Sequence, residues 1–79
     1  MEIDRFIANL RTVFDNGREL PLTLQTDMRS LEEWDSLAFL GFITMVDSEY
    51  GVKIAAAEIK SAHTAQDLFG LVEARLSRS

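Results

Sequence analysis

The stretch from Asp35 to Gly51 constrains the fold of this chain most strongly, because a start signal, a helical pattern and a stop signal follow one another in it. Asp35 and Ser36 are both residue types that cap helices. Apolar residues then recur at helical spacing as far as Tyr50, and Gly51 is a common helix terminator. The sequence therefore predicts a helix over residues 36–50. Ser36 lies at its positive end, where a phosphate is favoured, although the simplest role for such a serine is that of a cap.

The angular positions of the side chains predict which side of this helix is buried. The residues predicted to face the core are Phe39, Phe42, Ile43, Val46 and Tyr50. Those predicted to point outward are Leu37, Gly41, Thr44 and Ser48, with Leu40 and Met45 on the flanks. The outward side carries no charge and several apolar groups, which suggests a docking surface.

The rest of the chain predicts an all-α fold, a four-helix bundle made of one short and three longer helices. The predicted elements are a first helix over 4–14, a long connection over 18–34 that lies on the bundle, an extended link after Gly51, a short helix over 56–61, and a last helix that starts at a capping box over 64–67 and ends near Arg75. Residues 74–79 are expected to fray. A chain of 79 residues forms one domain, here 1–79.

Composition excludes several functions. The chain has no cysteine, so it cannot form disulfides, thiolate metal sites or a thiol nucleophile. Its 13 acidic and 8 basic residues give a net charge of −5, which disfavours nucleic acid binding. The N-terminus is acidic and no apolar run could cross a membrane, so we expect a cytoplasmic monomer.

The sequence offers no catalytic group to act with Ser36. A nucleophilic serine needs a base within hydrogen-bond reach, and the only histidine, His63, is predicted to lie in a solvated loop. A calcium loop starting at Asp47 fails because glycine stands one position too early, at Gly51. There is also no glycine-rich phosphate loop. We therefore expect that the protein is not an enzyme and binds no metal.

Asp35-Ser36-Leu37 at a loop-to-helix junction, near the middle of a small acidic chain, resembles the acyl carrier protein family. The resemblance extends to the long loop before this motif, to the Glu-Tyr-Gly-Val-Lys-Ile stretch over 49–54 and to the closing amphipathic helix. It implies a four-helix bundle of acyl carrier protein type. It also implies that Ser36 carries a covalent 4′-phosphopantetheine arm, whose thiol holds acyl or aminoacyl intermediates as thioesters.

The same resemblance implies supporting roles and partners. Asp35 would help to position metal and cofactor while a phosphopantetheinyl transferase attaches the arm, and Leu37 would contact that transferase. Loading and condensing enzymes would be the other partners. The helix after Ser36 has fewer acidic residues than is usual in fatty-acid carriers, which indicates a specialised carrier. The alternative is an unmodified helical adaptor that binds a partner through the strip Leu37–Met45.

Overall fold

A computed structural model describes residues 2–78, which form four α-helices joined by well-packed connections. The elements are α1 (Ile3–Arg11), a 3₁₀ turn (Met28–Ser30), α2 (Ser36–Tyr50), α3 (Ala56–Lys60) and α4 (Ala65–Arg78). Within this range no strand forms, and a single antiparallel bridge joins Asp27 to Thr64. The predicted all-α class is therefore confirmed as a small helical bundle. None of these helices is long and apolar enough to cross a membrane.

The helix α1 ends three residues earlier than predicted, at Arg11 instead of residue 14. The chain turns back there because the Arg11 guanidinium donates hydrogen bonds to the carbonyls of Gly17 (2.8 Å) and Leu20 (2.5 Å). Gly17 lies so close to the helix end that a Cβ atom at this position would stand 1.9 Å from the Arg11 carbonyl oxygen. Phe14 is buried all the same, although it lies beyond the helix.

The long connection before α2 lies over the bundle, as predicted. Its apolar side chains Leu20, Leu22 and Met28 are buried. The Met28 N–H donates to the His63 carbonyl at 2.8 Å, which ties the 3₁₀ turn to the segment between α3 and α4. Asp27 caps that turn by accepting a hydrogen bond from the Arg29 N–H at 3.0 Å. These bonds leave the connection little freedom next to the start of α2.

The bounds of α2 agree with the prediction, and Gly51 ends the helix in the left-handed conformation with φ 66°. Of the residues predicted to face the core, Phe42 and Val46 are fully buried and Phe39, Ile43 and Tyr50 pack half-buried against it, but the centre of the buried face is shifted. The most buried residues of α2 are Ala38, Phe42, Met45 and Val46. The prediction that Met45 lies off the core is wrong, since only 8% of the residue is exposed. Gly41, predicted to point outward, is half-buried, and a Cβ atom there would lie 3.3 Å from Val13 Cγ1.

The α3–α4 region follows the prediction except at its ends. The helix α3 stops at Lys60, one residue before the predicted end, and its Ile59 side chain is fully buried. The capping box is present, because Asp67 Oδ2 accepts a hydrogen bond from the Thr64 N–H (3.1 Å) while Thr64 Oγ1 accepts one from the Asp67 N–H (3.2 Å). The backbone N–H of His63, followed by that of Thr64, donates to the Asp67 carboxylate and lowers its pKa.

The helix α4 continues beyond its predicted end at Arg75 and remains helical to Arg78, while Ser79 lies outside the described residues. Arg75 anchors this last part of the helix. Its guanidinium donates to the Lys53 carbonyl at 2.8 Å and forms an ion pair with the Glu58 carboxylate. Contacts across the bundle therefore extend α4 beyond what its own sequence predicts.

Aromatic rings fill the centre of the bundle. Phe6 is fully buried and makes edge-to-face contacts with Phe42 and Phe69, at centroid distances of 6.3 and 5.3 Å. Trp34 packs edge-on against Phe39 at 4.9 Å and also against Phe42. Trp34 also contacts Phe14, at a centroid distance of 6.0 Å, and so acts as a packing anchor. It fixes the residues that lead into α2.

Candidate functional site

Asp35 is the N-cap of α2. Its backbone is extended, and its Oδ1 atom accepts a hydrogen bond from the Ala38 N–H at 3.0 Å. Its own carbonyl accepts the first helical bond, from the Phe39 N–H at 2.9 Å. One of the otherwise unpaired N–H groups at the helix start is thereby satisfied by the Asp35 side chain. The capping role that the sequence could assign to either of two residues therefore belongs to Asp35.

Ser36 is the first residue of α2 and is exposed to solvent. Within residues 2–78 its hydroxyl has no hydrogen-bond partner. The first turn of α2 contains no acidic residue, so the positive end of the helix dipole is not neutralised from within the helix beyond the Asp35 cap. The side chain is thus accessible from solvent, at a helix N-terminus, where backbone N–H groups favour a phosphate.

Leu37 completes the predicted trio and is the most exposed large apolar residue of α2, at 80%. Leu40, one turn further along, is 59% exposed, and Thr44 is exposed as well. We call Leu37, Leu40 and Thr44 the outer face of α2. This face is uncharged and apolar near Ser36. Because Met45 is buried, the surface available to a partner is shorter than the predicted strip Leu37–Met45.

A side-chain hydrogen bond fixes the turn before Ser36. Asn16 Nδ2 donates to Glu33 Oε2 at 3.1 Å and joins the corner after α1 to the residues that precede α2. The Asp35 N–H then donates to the Glu33 carbonyl at 3.0 Å. This contact could not be predicted from the sequence, because Asn16 and Glu33 are 17 positions apart and neither belongs to a recognisable motif.

The groups considered for other chemistry lie apart from Ser36. His63 is exposed in the α3–α4 segment, where its Nδ1 atom lies 3.1 Å from Arg29 Nη1. Its backbone N–H donates to the Asp67 carboxylate. The described part of the chain contains no cluster of three or more acidic or histidine side chains that could hold a metal ion. The Glu58 pKa is lowered, first by the hydrogen bond from Arg75, which marks a structural ion pair.

Comparison of this chain with models of protein families, with curated proteins and with solved structures gives no match. The most informative feature of the site is the difference between two neighbouring residues. Asp35 caps the helix, and the exposed Ser36 hydroxyl makes no hydrogen bond within the described part of the chain.

Proposed function

We propose that this protein is an acyl carrier protein and that Ser36 is the attachment point of its 4′-phosphopantetheine arm. The observation that carries the proposal is an exposed, unbonded serine hydroxyl at the N-terminus of a 15-residue helix whose cap is supplied by the preceding Asp35. A serine that served only as a cap would direct its oxygen to a backbone N–H group. Ser36 is available to an enzyme that modifies it.

The modification would proceed without any catalytic group of this chain. In the active site of a phosphopantetheinyl transferase, Ser36 Oγ would attack the pantetheine-bearing phosphorus of coenzyme A. A phosphodiester forms, the pyrophosphate bond breaks, adenosine 3′,5′-bisphosphate leaves, and the serine proton passes to a base of the transferase. Asp35, the residue before Ser36, would help to hold the magnesium and cofactor there. The arm then supplies the thiol that a chain without cysteine lacks.

The outer face of α2 is the surface that we assign to the transferase and to the loading and condensing enzymes. Leu37 and Leu40 present apolar surface directly next to Ser36, at 80% and 59% exposure. Apolar side chains without a partner of their own are typical of binding surfaces. The rival function, an unmodified adaptor, would use the same two leucines but would leave Ser36 without a purpose.

The packing of the core favours a small or polar cargo. Phe6 and Phe42 are completely buried and are held by edge-to-face contacts with other rings. Opening a cavity for a long acyl chain among such rings would mean displacing large, rigid groups from a close-packed interior. We therefore propose that a short acyl or aminoacyl unit stays outside the core.

Intact-mass measurement tests the carrier proposal. The folded protein is incubated with coenzyme A, magnesium and a promiscuous phosphopantetheinyl transferase, and its mass should increase by one phosphopantetheine. Ser36→Ala should gain nothing. Ser48→Ala is the matched control, because Ser48 is an exposed serine of the same helix, and this variant should be modified like the wild type. A folded wild-type protein that acquires no mass would refute the proposal and leave the adaptor as the better explanation.

A further inference from the structure

A surface cleft of about 290 Å³ opens beside Ser36, between the corner that follows α1 and the start of α2. Its apolar side includes Val13, Phe14 and Leu37, and its polar rim includes Asp15, Asn16 and Glu33. The cleft has no role in the fold described above. It exists without any rearrangement of the core.

The position of the cleft ties it to Ser36. Both chain neighbours of the serine, Asp35 and Leu37, line it. Ser36 itself does not line the cleft, so a group attached to its Oγ atom starts next to the cleft, between two residues that line it. The Asn16–Glu33 hydrogen bond of 3.1 Å fixes the opposite edge, so the two sides of the cleft are held at a set separation.

The chemistry of the cleft suits the pantetheine portion of the arm. Beyond its phosphate, that arm carries a carbon with two methyl groups, then a hydroxyl and two amides, and finally the thiol. The dimethyl carbon can pack on Val13, Phe14 and Leu37, as apolar groups do when they leave water. The amide N–H groups need acceptors, and the Asp15 carboxylate offers one, since it accepts no hydrogen bond within residues 2–78.

The charge of the cleft disfavours the phosphate there but not the rest of the arm. The polar rim contains the acidic side chains of Asp15 and Glu33, and Asp35 also lines the cleft, whereas no basic residue does. A phosphodiester would be repelled by these carboxylates and favoured at the positive end of α2. The uncharged pantetheine portion is not repelled. The phosphate should therefore stay at the helix start while the remainder of the arm turns into the cleft.

We infer that the cleft between residues 13–16 and the first turn of α2 is the resting site of the pantetheine arm on this protein. The inference rests on the proposed attachment at Ser36. It assigns the cleft a ligand of stated chemistry, a neutral diamide chain with a dimethyl group. Leu37 contributes apolar surface to the cleft and also faces solvent, since 80% of the residue is exposed.

Isotope-filtered NOE spectroscopy tests this inference. Uniformly ¹³C-labelled protein is loaded with an unlabelled arm, and complete loading is confirmed by intact mass. Cross-peaks are expected between the methyl protons of the arm and the methyl groups of Val13 and Leu37. Failure of the protein to load would refute the proposed function itself. Complete loading followed by arm cross-peaks to Ile54 and Ile59, or to no methyl group of the protein, would overturn the inference and leave the proposed function standing.

Two exposed leucines of α2 provide a matched pair of variants. Leu37→Ser removes one side of the cleft and should abolish the cross-peaks between the arm and Val13. Leu40→Ser removes a similarly exposed side chain that does not line the cleft, and should retain them. Both proteins are loaded to completion with excess transferase, so that a slower modification of either does not affect the result. Equal cross-peaks to Val13 in both variants would contradict the role given to Leu37.

Discussion

Replacing Asp35 by alanine should lower the stability of the fold, whereas replacing Ser36 by alanine should abolish modification and leave stability almost unchanged. Asp35→Ala removes the hydrogen bond of 3.0 Å to the Ala38 N–H, and loss of an N-cap costs about 0.5–2 kcal/mol. For a domain of this size, each 1 kcal/mol lowers the melting temperature by about 4–8 °C. Ser36→Ala removes an exposed hydroxyl without a partner and introduces the best helix former, so the free energy of unfolding should change by less than about 0.5 kcal/mol.

Urea denaturation followed by circular dichroism measures both effects. Asp35→Asn is the control for the cap, because asparagine keeps an acceptor oxygen at the same place and should recover most of the lost stability. In the transferase assay Ser36→Ala should accept no arm despite its wild-type stability. The reasoning would be refuted if Ser36→Ala lost as much stability as Asp35→Ala, since Ser36 would then be a structural serine.

Three further predictions concern the core, the surface ion pair and the cargo. Met45→Ala should lower the free energy of unfolding in urea denaturation by about 2–5 kcal/mol, as for other buried Met side chains, whereas Thr44→Ala, on the exposed side, should change it by less than about 0.5 kcal/mol. Equal losses would contradict the observed orientation of α2. The Glu58 pKa is lowered by Arg75, so this ion pair stabilises the fold above the ordinary glutamate pKa, and its contribution is lost as the pH falls through the lowered pKa. Glu58→Gln should flatten that part of the stability–pH curve, and an unchanged slope would disprove the coupling. Amide shifts near the buried Ile59 should hardly differ between acetyl and octanoyl forms of the loaded protein, and large shifts that grow with chain length would show that the core opens.

The limits of α2 could be predicted because local signals determine them. Asp35 is a capping residue and Gly51 adopts the positive φ that ends the helix. The direction of the buried face was less predictable. Apolar residues occur on nearly every side of this helix. Its periodicity therefore does not distinguish the predicted buried side, which contains Phe39, from the observed one, which includes Ala38 and Met45.

The ends of α1 and α4 could not be predicted, because contacts distant in sequence determine them. The apolar pattern of α1 continues to Phe14, but Arg11 binds the carbonyls of the following segment and the chain turns back earlier. The reverse holds for α4, where Arg75 reaches Glu58 and Lys53 and keeps the last turns helical.

The candidate site divides in the same way. The trio Asp35-Ser36-Leu37 could be predicted because it is contiguous, and its members lie where the motif suggested. The cleft beside it could not be predicted. It depends on the hydrogen bond between Asn16 and Glu33, and side chains separated by a long connection give no signal in a single sequence.

Titration of thiol groups tests the central claim most directly, because the unmodified chain contains no cysteine. After incubation with coenzyme A and a phosphopantetheinyl transferase, the protein is separated from free coenzyme A and treated with a chromogenic thiol reagent. We expect one reactive thiol per wild-type chain and none per Ser36→Ala chain. A folded wild-type protein that still carries no thiol, or a Ser36→Ala protein that acquires one, would contradict attachment of the arm at Ser36.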